Sequence, residues 1–597
     1  MKAFTEPLLS LAGFEEMTKT AEKSSGLISV TGCIDAQKSQ MIYAFGGHRK
    51  NKLIVTFGEQ KAKELYDEYS FFDKEVVYYP SKDVLFYQSD IRGNLLTAER
   101  IRALKAIREQ ERVTLVTTFD ALMNTMAPIE KMWENVLTLE QGQLLDLKEI
   151  QAALIRMGYE KEYQVQTMGQ FSVRGGILDV FPLTEENPIR IELWGDEIDT
   201  IRYFDYESQK SIENIDRVSI YPAAELVLSD EEKAGGIEKL KAEAKRVSDK
   251  LRKQMKTEEA HRVTVMADEL TEEWGELSMY AGMDAFLSYF FAERVGLLDY
   301  FNPSDSLIFF DELTRCTEQG KLTETEFSES MKQRLAMGYI LPGQMNGLFT
   351  EKEIVAKLGK YSCIALAALD NKANGLHQLG SYGIHCQSVS PYNNSFELLI
   401  KDLKRYKKNG YRVILLSGSR TRAKRLSEDI TDQGITCFYT ENYDHELFEG
   451  QIMVCYGKVR RGFEYPILKF AVITESDIFG AQQKKKKRHR TYEGEKIQSF
   501  TDLSVGDYVV HENHGLGIYR GIEKLEVDKK VKDYIKIEYQ GGSNLYILAT
   551  QLDMIQKYAG KDARKPKLNK LGGQEWTRTK NRVRGAVKQI AGDLVKL

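Results

Sequence analysis

Two hydrophobic rhythms alternate along this chain, and the changes between them mark changes of domain. Near the start, short unbroken apolar runs alternate with amphipathic stretches. GLISVTG (26–32), KLIVTF (52–57), EVVYYP (75–80) and VTLVTT (113–118) read as buried strands; SQMIYAF opens one helix, and TAERIRALKAIREQ (97–110) reads as another. Strands apolar on both faces and linked through helices predict a parallel sheet with crossovers. From about 135 to 220 the rhythm becomes period-two and glycine-punctuated, in GQFSVRGGILDVFP and PIRIELWGDEIDTIRYFD, which predicts an antiparallel β insert. Charged helical segments follow over 232–256 and 266–293, then the strand SLIFFDE (306–312).

Strands and helices alternate again between 361 and 475, predicting a further α/β region. The run Lys484 to Arg490, six of its seven residues Lys or Arg, reads as a solvated tether, with contact to a phosphate backbone as the alternative. A compact β segment rich in Gly and Tyr occupies 503–556, and the chain closes with a basic tail. In that tail Val583, Val587, Ile590 and Leu594 fall on one helical face that reaches Leu597 without a capping residue, the pattern expected of a chain cut from something longer.

Composition narrows the class rather than the function. At 597 residues several domains are required, and 42% hydrophobic with 29% charged residues is ordinary for a globular protein. A net charge of -4 is no polyanion-binding signature, so any nucleic-acid contact must come from local patches. The six cysteines (33, 316, 363, 386, 437 and 455) form no C-x-x-C pair, which argues against a zinc ribbon or disulfide framework and fits a reducing compartment. His511 and His514 lack a third ligand for a metal site. No stretch has the length of apolar residues that a membrane helix needs, so a cytoplasmic protein with no membrane partner is expected.

The sharpest chemical motif is Gly32-Cys33-Ile34-Asp35-Ala36-Gln37-Lys38-Ser39, placed between a strand and a helix as a phosphate-binding loop requires. In a working loop backbone amides cradle phosphates, the lysine reaches the β and γ oxygens, and the serine holds magnesium. Gln37 stands where the second glycine belongs, and its side chain is expected to intrude on the nucleotide space. Asp311-Glu312, ending an apolar strand, resembles the acidic partner of such a loop. A relic whose lysine has found a salt bridge is the first reading; a residually active nucleotide-binding helicase module using Lys38, Ser39, Asp311 and Glu312 is the alternative.

In the insert, Ile189, Ile191 and Leu193 alternate with Arg190, Glu192 and Trp194, so Arg190 and Trp194 share the outward face. In QFSVRGG, Phe171 and Val173 are expected inward and Arg174 outward. Two arginines and an indole on one solvent face are chemistry enriched at interfaces, although an ordinary sheet with one partly covered Trp has the same pattern.

These segments, with the Gln37-bearing loop, resemble the N-terminal module of the bacterial transcription-repair coupling factors (the Mfd family), itself similar to the excision-repair helicase UvrB. The resemblance implies a RecA-like scaffold with a degenerate loop, and a β domain that recruits UvrA through Arg174, Arg190 and Trp194; the family often has Phe at the last position. UvrB itself would carry an intact loop and a long hairpin, for which the sequence between Tyr79 and Thr97 is too short. VGDYVVHENHGLGIYRGIEKLEV and KDYIKIEYQGGSNLYILATQLDMIQKYAG resemble the RNA-polymerase-interacting domain shared with CarD-type regulators, a small Tudor-like barrel that docks on the polymerase β subunit by pairing edge strands. Ile535-Lys536-Ile537 is the candidate docking strand, an internal strand being the alternative, and Leu548 stands where the family usually has proline. KVRRGFEYPILKFAVITESDIFG (458–480) resembles the segment that precedes that domain.

The expected fold is therefore multidomain α/β: 1–134 UvrB-like with the degenerate loop; 135–220 a β-rich UvrA-binding domain; 221–378 the rest of the α/β module; 379–480 an additional α/β domain; 481–498 a basic linker; 499–558 the polymerase-interacting domain; and 559–597 the start of a translocase region with its helix. No cofactor is expected for these residues. In the full-length family protein the resemblance implies ATP and magnesium, and a motor that moves on double-stranded DNA to displace stalled polymerase.

Overall fold

The computed structural model describes residues 1–45, 49–82, 94–206, 208–276, 283–369, 375–480, 495–496, 503–511, 515–527, 530–548, 555–558 and 568–569. The basic run at 484–490, His514, most of the segment weighed for a hairpin and the expected terminal helix lie outside them.

Two helices absent from the sequence reading open the chain, α1 (Lys2–Leu9) and α2 (Phe14–Lys23). Their apolar faces (Phe4, Leu8, Phe14 and Met17) are buried. The first strands are β1 (Gly26–Thr31), β2 (Asn51–Thr56), β3 (Val77–Tyr79) and β4 (Val113–Thr118), with α3 (Asp35–Phe45), α4 (Glu59–Tyr69) and α5 (Asn94–Glu109) between them. β5 (Leu137–Glu140), β6 (Glu160–Lys161), β7 (Gln170–Arg174), β8 (Ile177–Val180), β9 (Ile189–Trp194), β10 (Glu197–Phe204), β11 (Ser211–Ile215) and β12 (Arg217–Ile220) form the insert. The chain returns to the first sheet through β13 (Ser306–Asp311), β14 (Ser362–Leu366) and β15 (Gln378–Gly383). That sheet is seven-stranded and parallel throughout, in the order β15-β1-β14-β13-β2-β4-β3.

β15 corrects one expected boundary. All but its first residue lies in the range assigned to the additional domain, yet it pairs with β1, along the edge of Leu27 to Thr31 that faces away from β14. The additional sheet consists of β16 (Gln387–Ser388), β17 (Arg412–Ser417), β18 (Phe438–Tyr439), β19 (Ile452–Tyr456), β20 (Phe463–Tyr465) and β21 (Phe470–Thr474), in the order β16-β20-β21-β17-β19-β18. The two α/β sheets share one apolar core in which Phe4, Met41, Ile364, Cys386, Tyr465 and Phe470 meet.

The last sheet is β22 (Glu495–Lys496), β23 (Tyr508–His511), β24 (Gly515–Val527), β25 (Lys530–Glu538), β26 (Asn544–Leu548) and β27 (Ile555–Lys557), ordered β22-β27-β23-β24-β25-β26. β22 falls inside the expected linker, so part of that segment belongs to the sheet instead. Among the described residues the order is that of an antiparallel sheet with β22 and β26 at opposite ends. Its core of Val509, Tyr519, Ile535, Ile537, Tyr539 and Ile547 is separate from those of the α/β sheets.

Candidate functional sites

The phosphate loop leaves β1 at Gly32 and enters α3 at Asp35. Its first amides already have partners: Gly32 N–H donates to the Ala368 carbonyl at 3.3 Å and Cys33 N–H to that of Ala367 at 2.9 Å. Gly32 is needed here for a reason other than phosphate. Its φ is +78°, and a Cβ would sit 2.0 Å from the carbonyl oxygen of Ile384, where the chain leaving β15 crosses. Lys38 is buried, and its ammonium donates to Asp311 Oδ1 at 2.6 Å, Glu312 Oε1 at 2.8 Å and Asp35 Oδ1 at 3.2 Å. Burial works against that charge, but the Asp311 and Glu312 carboxylates outweigh it and hold the Lys38 pKa above the ordinary lysine range.

Thr56 Oγ1 donates to the other oxygen of Asp311 at 3.1 Å. Glu312 is a non-glycine residue in the left-handed region (φ 61°), a conformation that costs on the order of 1–3 kcal/mol. It is held there by Lys38 and by the Ala368 N–H, which donates to its Oε1 at 3.1 Å. Gln37 is fully buried, and neither its amide nor the Ser39 hydroxyl has a hydrogen-bond partner among the described residues. Burial pushes the Cys33 thiol up to about 12, so it stays neutral. The sequence-selected residues Gly32, Gln37, Lys38, Ser39, Asp311 and Glu312 do come together, but as a closed polar knot. They do not fit a bound magnesium nucleotide, since the lysine is already turned onto the acids that would hold the metal.

On the insert, the β7–β8 and β8–β9 registers set Ser172 opposite Asp179 and Asp179 opposite Arg190. Asp179 is buried between two arginines: Arg174 Nη2 donates to its Oδ2 at 2.7 Å, and Arg190 donates to both oxygens, at 2.7 and 2.8 Å. Arg190 also reaches Gln209 Oε1 at 2.8 Å and lies over the Phe204 ring, 4.3 Å from its centre. This corrects the picture of two free arginines. The Arg190 side chain is only 13% exposed and Arg174 35%, because each must neutralise the buried carboxylate. Trp194 ends β9 before the turn at Gly195 and is 84% exposed. Asp179 was missed in the sequence; its signal was a lone acid inside the apolar strand ILDV.

In the last sheet Ile535 and Ile537 are fully buried. Lys536 points the other way, donating to Glu523 Oε1 at 2.6 Å beside the Tyr546 ring. β25 is paired on both sides, with β24 and with β26. Ile535-Lys536-Ile537 is therefore an internal strand, and its backbone groups are unavailable for edge pairing; the neighbouring β26 lies at one end of the sheet.

Comparison with known proteins matches the same two β regions. Residues 137–226 match a family model described as the UvrB interaction domain, and 503–559 one described as the CarD-like/TRCF RID domain. The chain is 32% identical over 547 residues to the transcription-repair-coupling factor of Bacillus subtilis, covering 91% of this chain and 46% of that protein. The chain belongs with the transcription-repair-coupling factors. Those of Staphylococcus haemolyticus (31% identity, 96% of this chain, 48% of theirs) and Staphylococcus aureus MRSA252 (30%, 98% and 49%) align over nearly all of it. The chain thus spans about half the length of these factors. Among the described residues no helix is long and apolar enough to cross a membrane, and no group of His, Cys, Asp or Glu is arranged to hold a metal ion.

Proposed function

We propose that this chain is a docking platform of transcription-coupled nucleotide excision repair, binding UvrA through its insert and the RNA polymerase β subunit through its last sheet. The observation that carries the reading is the insert face, where Asp179 fixes Arg174 and Arg190 and Trp194 stands 84% exposed. Guanidinium groups held in place by Asp179 lose little side-chain entropy on binding, and the exposed indole further along β9 adds apolar contact area, which suits a recognition surface. For the polymerase, β26 is one of the two end strands of the sheet, and its Tyr546, with Lys536 on the neighbouring strand, supplies polar groups.

The RecA-like first sheet then serves as scaffold. The knot at Lys38 supports a phosphate loop that neither holds nor hydrolyses ATP, and ATP- and magnesium-driven movement on double-stranded DNA is not assigned to these residues. In affinity capture by the purified chain, alanine at the exposed Trp194 is expected to weaken UvrA binding and leave polymerase binding intact, whereas alanine at Arg174 and Arg190 also leaves Asp179 uncompensated and is read only with a melting temperature beside it. Loss of both partners together would mark misfolding. Substantial DNA-stimulated ATP hydrolysis, abolished by Lys38→Ala, would overturn the reading in favour of a residually active nucleotide-binding helicase module.

A further inference from the structure

A second concave site lies at the opposite end of the first sheet from the phosphate loop. The N-terminal ends of β2, β3 and β4, with α1, α2 and α3, enclose a cavity of about 610 Å³. Arg49, Lys50, Lys52, Lys74 and Arg112 line it, against two carboxylates, Asp73 and Glu75. None of the five cations makes an ion pair with a described residue.

Asp73 is satisfied by neutral donors, Thr114 Oγ1 at 2.8 Å and the Glu75 N–H at 3.0 Å. Lys52 is half-buried, its ammonium 5.6 Å and 6.0 Å from the centres of the Tyr43 and Tyr69 rings and 3.2 Å from the Tyr69 hydroxyl. Burial lowers its pKa, Arg112 adds to the effect, and Asp73 opposes it. Arg49 Nη2 donates to the carbonyls of Ala21 at 2.9 Å and Glu22 at 2.6 Å, and its Nε is buried without a hydrogen-bond partner among the described residues. Beside the cations, Tyr43 lies against Phe72 with ring centres 5.5 Å apart, and Leu9 is exposed on the rim.

A concave site with under-neutralised cations and an aromatic, apolar surface beside them matches a ligand carrying phosphate and a flat ring system. We propose that this cavity binds phosphate esters that carry a nucleobase. The phosphate meets Arg49, Lys50, Lys52 and Arg112, and the base lies along Tyr43 and Leu9. Both a free nucleotide and single-stranded nucleic acid present that chemistry.

The test is titration of the full chain with ATP, ADP, inorganic phosphate and a short single-stranded oligothymidylate, followed by calorimetry. At least one base-bearing ligand is expected to bind, and Lys50→Glu/Arg112→Glu to weaken it about tenfold or more, with Lys38→Met unchanged. Binding of the mononucleotides assigns the source as free nucleotide; binding of the oligonucleotide alone assigns it as nucleic acid. Both exchanged side chains are exposed, and an unchanged melting temperature checks the fold; Lys50→Ala/Arg112→Ala replaces the reversal if that melts early. Absence of binding, binding indifferent to these exchanges, binding lost in Lys38→Met, or inorganic phosphate binding as tightly as the nucleotides would each overturn the assignment.

Discussion

Lys38 carries the residue-scale lesson, because the same side chain means opposite things with and without its surroundings. In the motif it is a phosphate ligand; in the fold it neutralises Asp311, which is buried beside Thr56. Removing one member of a buried pair leaves the other charge uncompensated, at a cost of about 3–5 kcal/mol. Lys38→Met is therefore expected to lower the denaturant midpoint of the α/β core and leave ATP affinity unaffected. A variant as stable as the parent would show that the knot is dispensable. Glu68 makes a second residue-scale prediction. Burial pushes its carboxyl up to about 7, with Arg460 and Lys61 opposing the shift only in part. The folded state thus holds this proton more tightly than the unfolded chain. Its stabilising effect is complete below the unfolded value near 4.5 and is lost as pH rises through about 7. Glu68→Gln is expected to flatten the pH dependence of stability across that window and to stabilise the protein at pH 8 by on the order of 3 kcal/mol. Denaturant titrations at several pH values decide it.

At the scale of elements, alternation and apolar runs were enough to place β1, β2, β4, β13 and the strands of the insert, because those strands are buried on both faces or on alternate faces. α1 and α2 were not legible. Their apolar residues are few and spaced like those of a surface helix, and only the cleft between two sheets makes them core. β15 and β25 show the other limit. Strand character is local, but which neighbours a strand acquires depends on distant segments, so neither the edge role expected of β25 nor the domain assigned to β15 was readable. Gly32 turns on the same long-range crossing. A Cβ there would meet the Ile384 carbonyl oxygen at 2.0 Å in a left-handed backbone conformation. Gly32→Ala is expected to cost roughly 2–5 kcal/mol from strain and overpacking together. A thermal melt unchanged by the substitution would contradict that crossing.

For the whole molecule, the distribution of cores predicts how the chain comes apart. The two α/β sheets meet in one apolar cluster, whereas the last sheet keeps its own. Calorimetry is expected to show the α/β sheets unfolding together and the last sheet in a transition of its own. Disrupting that sheet's interior, as with Gly517→Val, where a Cβ already meets Ile537 at 2.4 Å, is expected to move only the second transition. A cut between β15 and β16 would expose Cys386, Tyr465 and their neighbours, so the separated α/β pieces are expected to aggregate. Independent folding of residues 1–384 would contradict the shared core.

The sequence alone determined that this is a multidomain α/β chain with a β insert and a compact β segment, and that its phosphate loop lacks a glycine. Those properties are written in local periodicity and in single residues whose backbone demands are known. Only the tertiary structure decided that the loop is locked by Lys38, that Asp179 fixes the insert's arginines, and that β26 rather than β25 lies at one end of its sheet. Each of these depends on residues far apart in the chain brought within hydrogen-bonding distance. Lys38 and Asp311 are 273 positions apart and 2.6 Å from each other in the fold, a relation that no local pattern encodes.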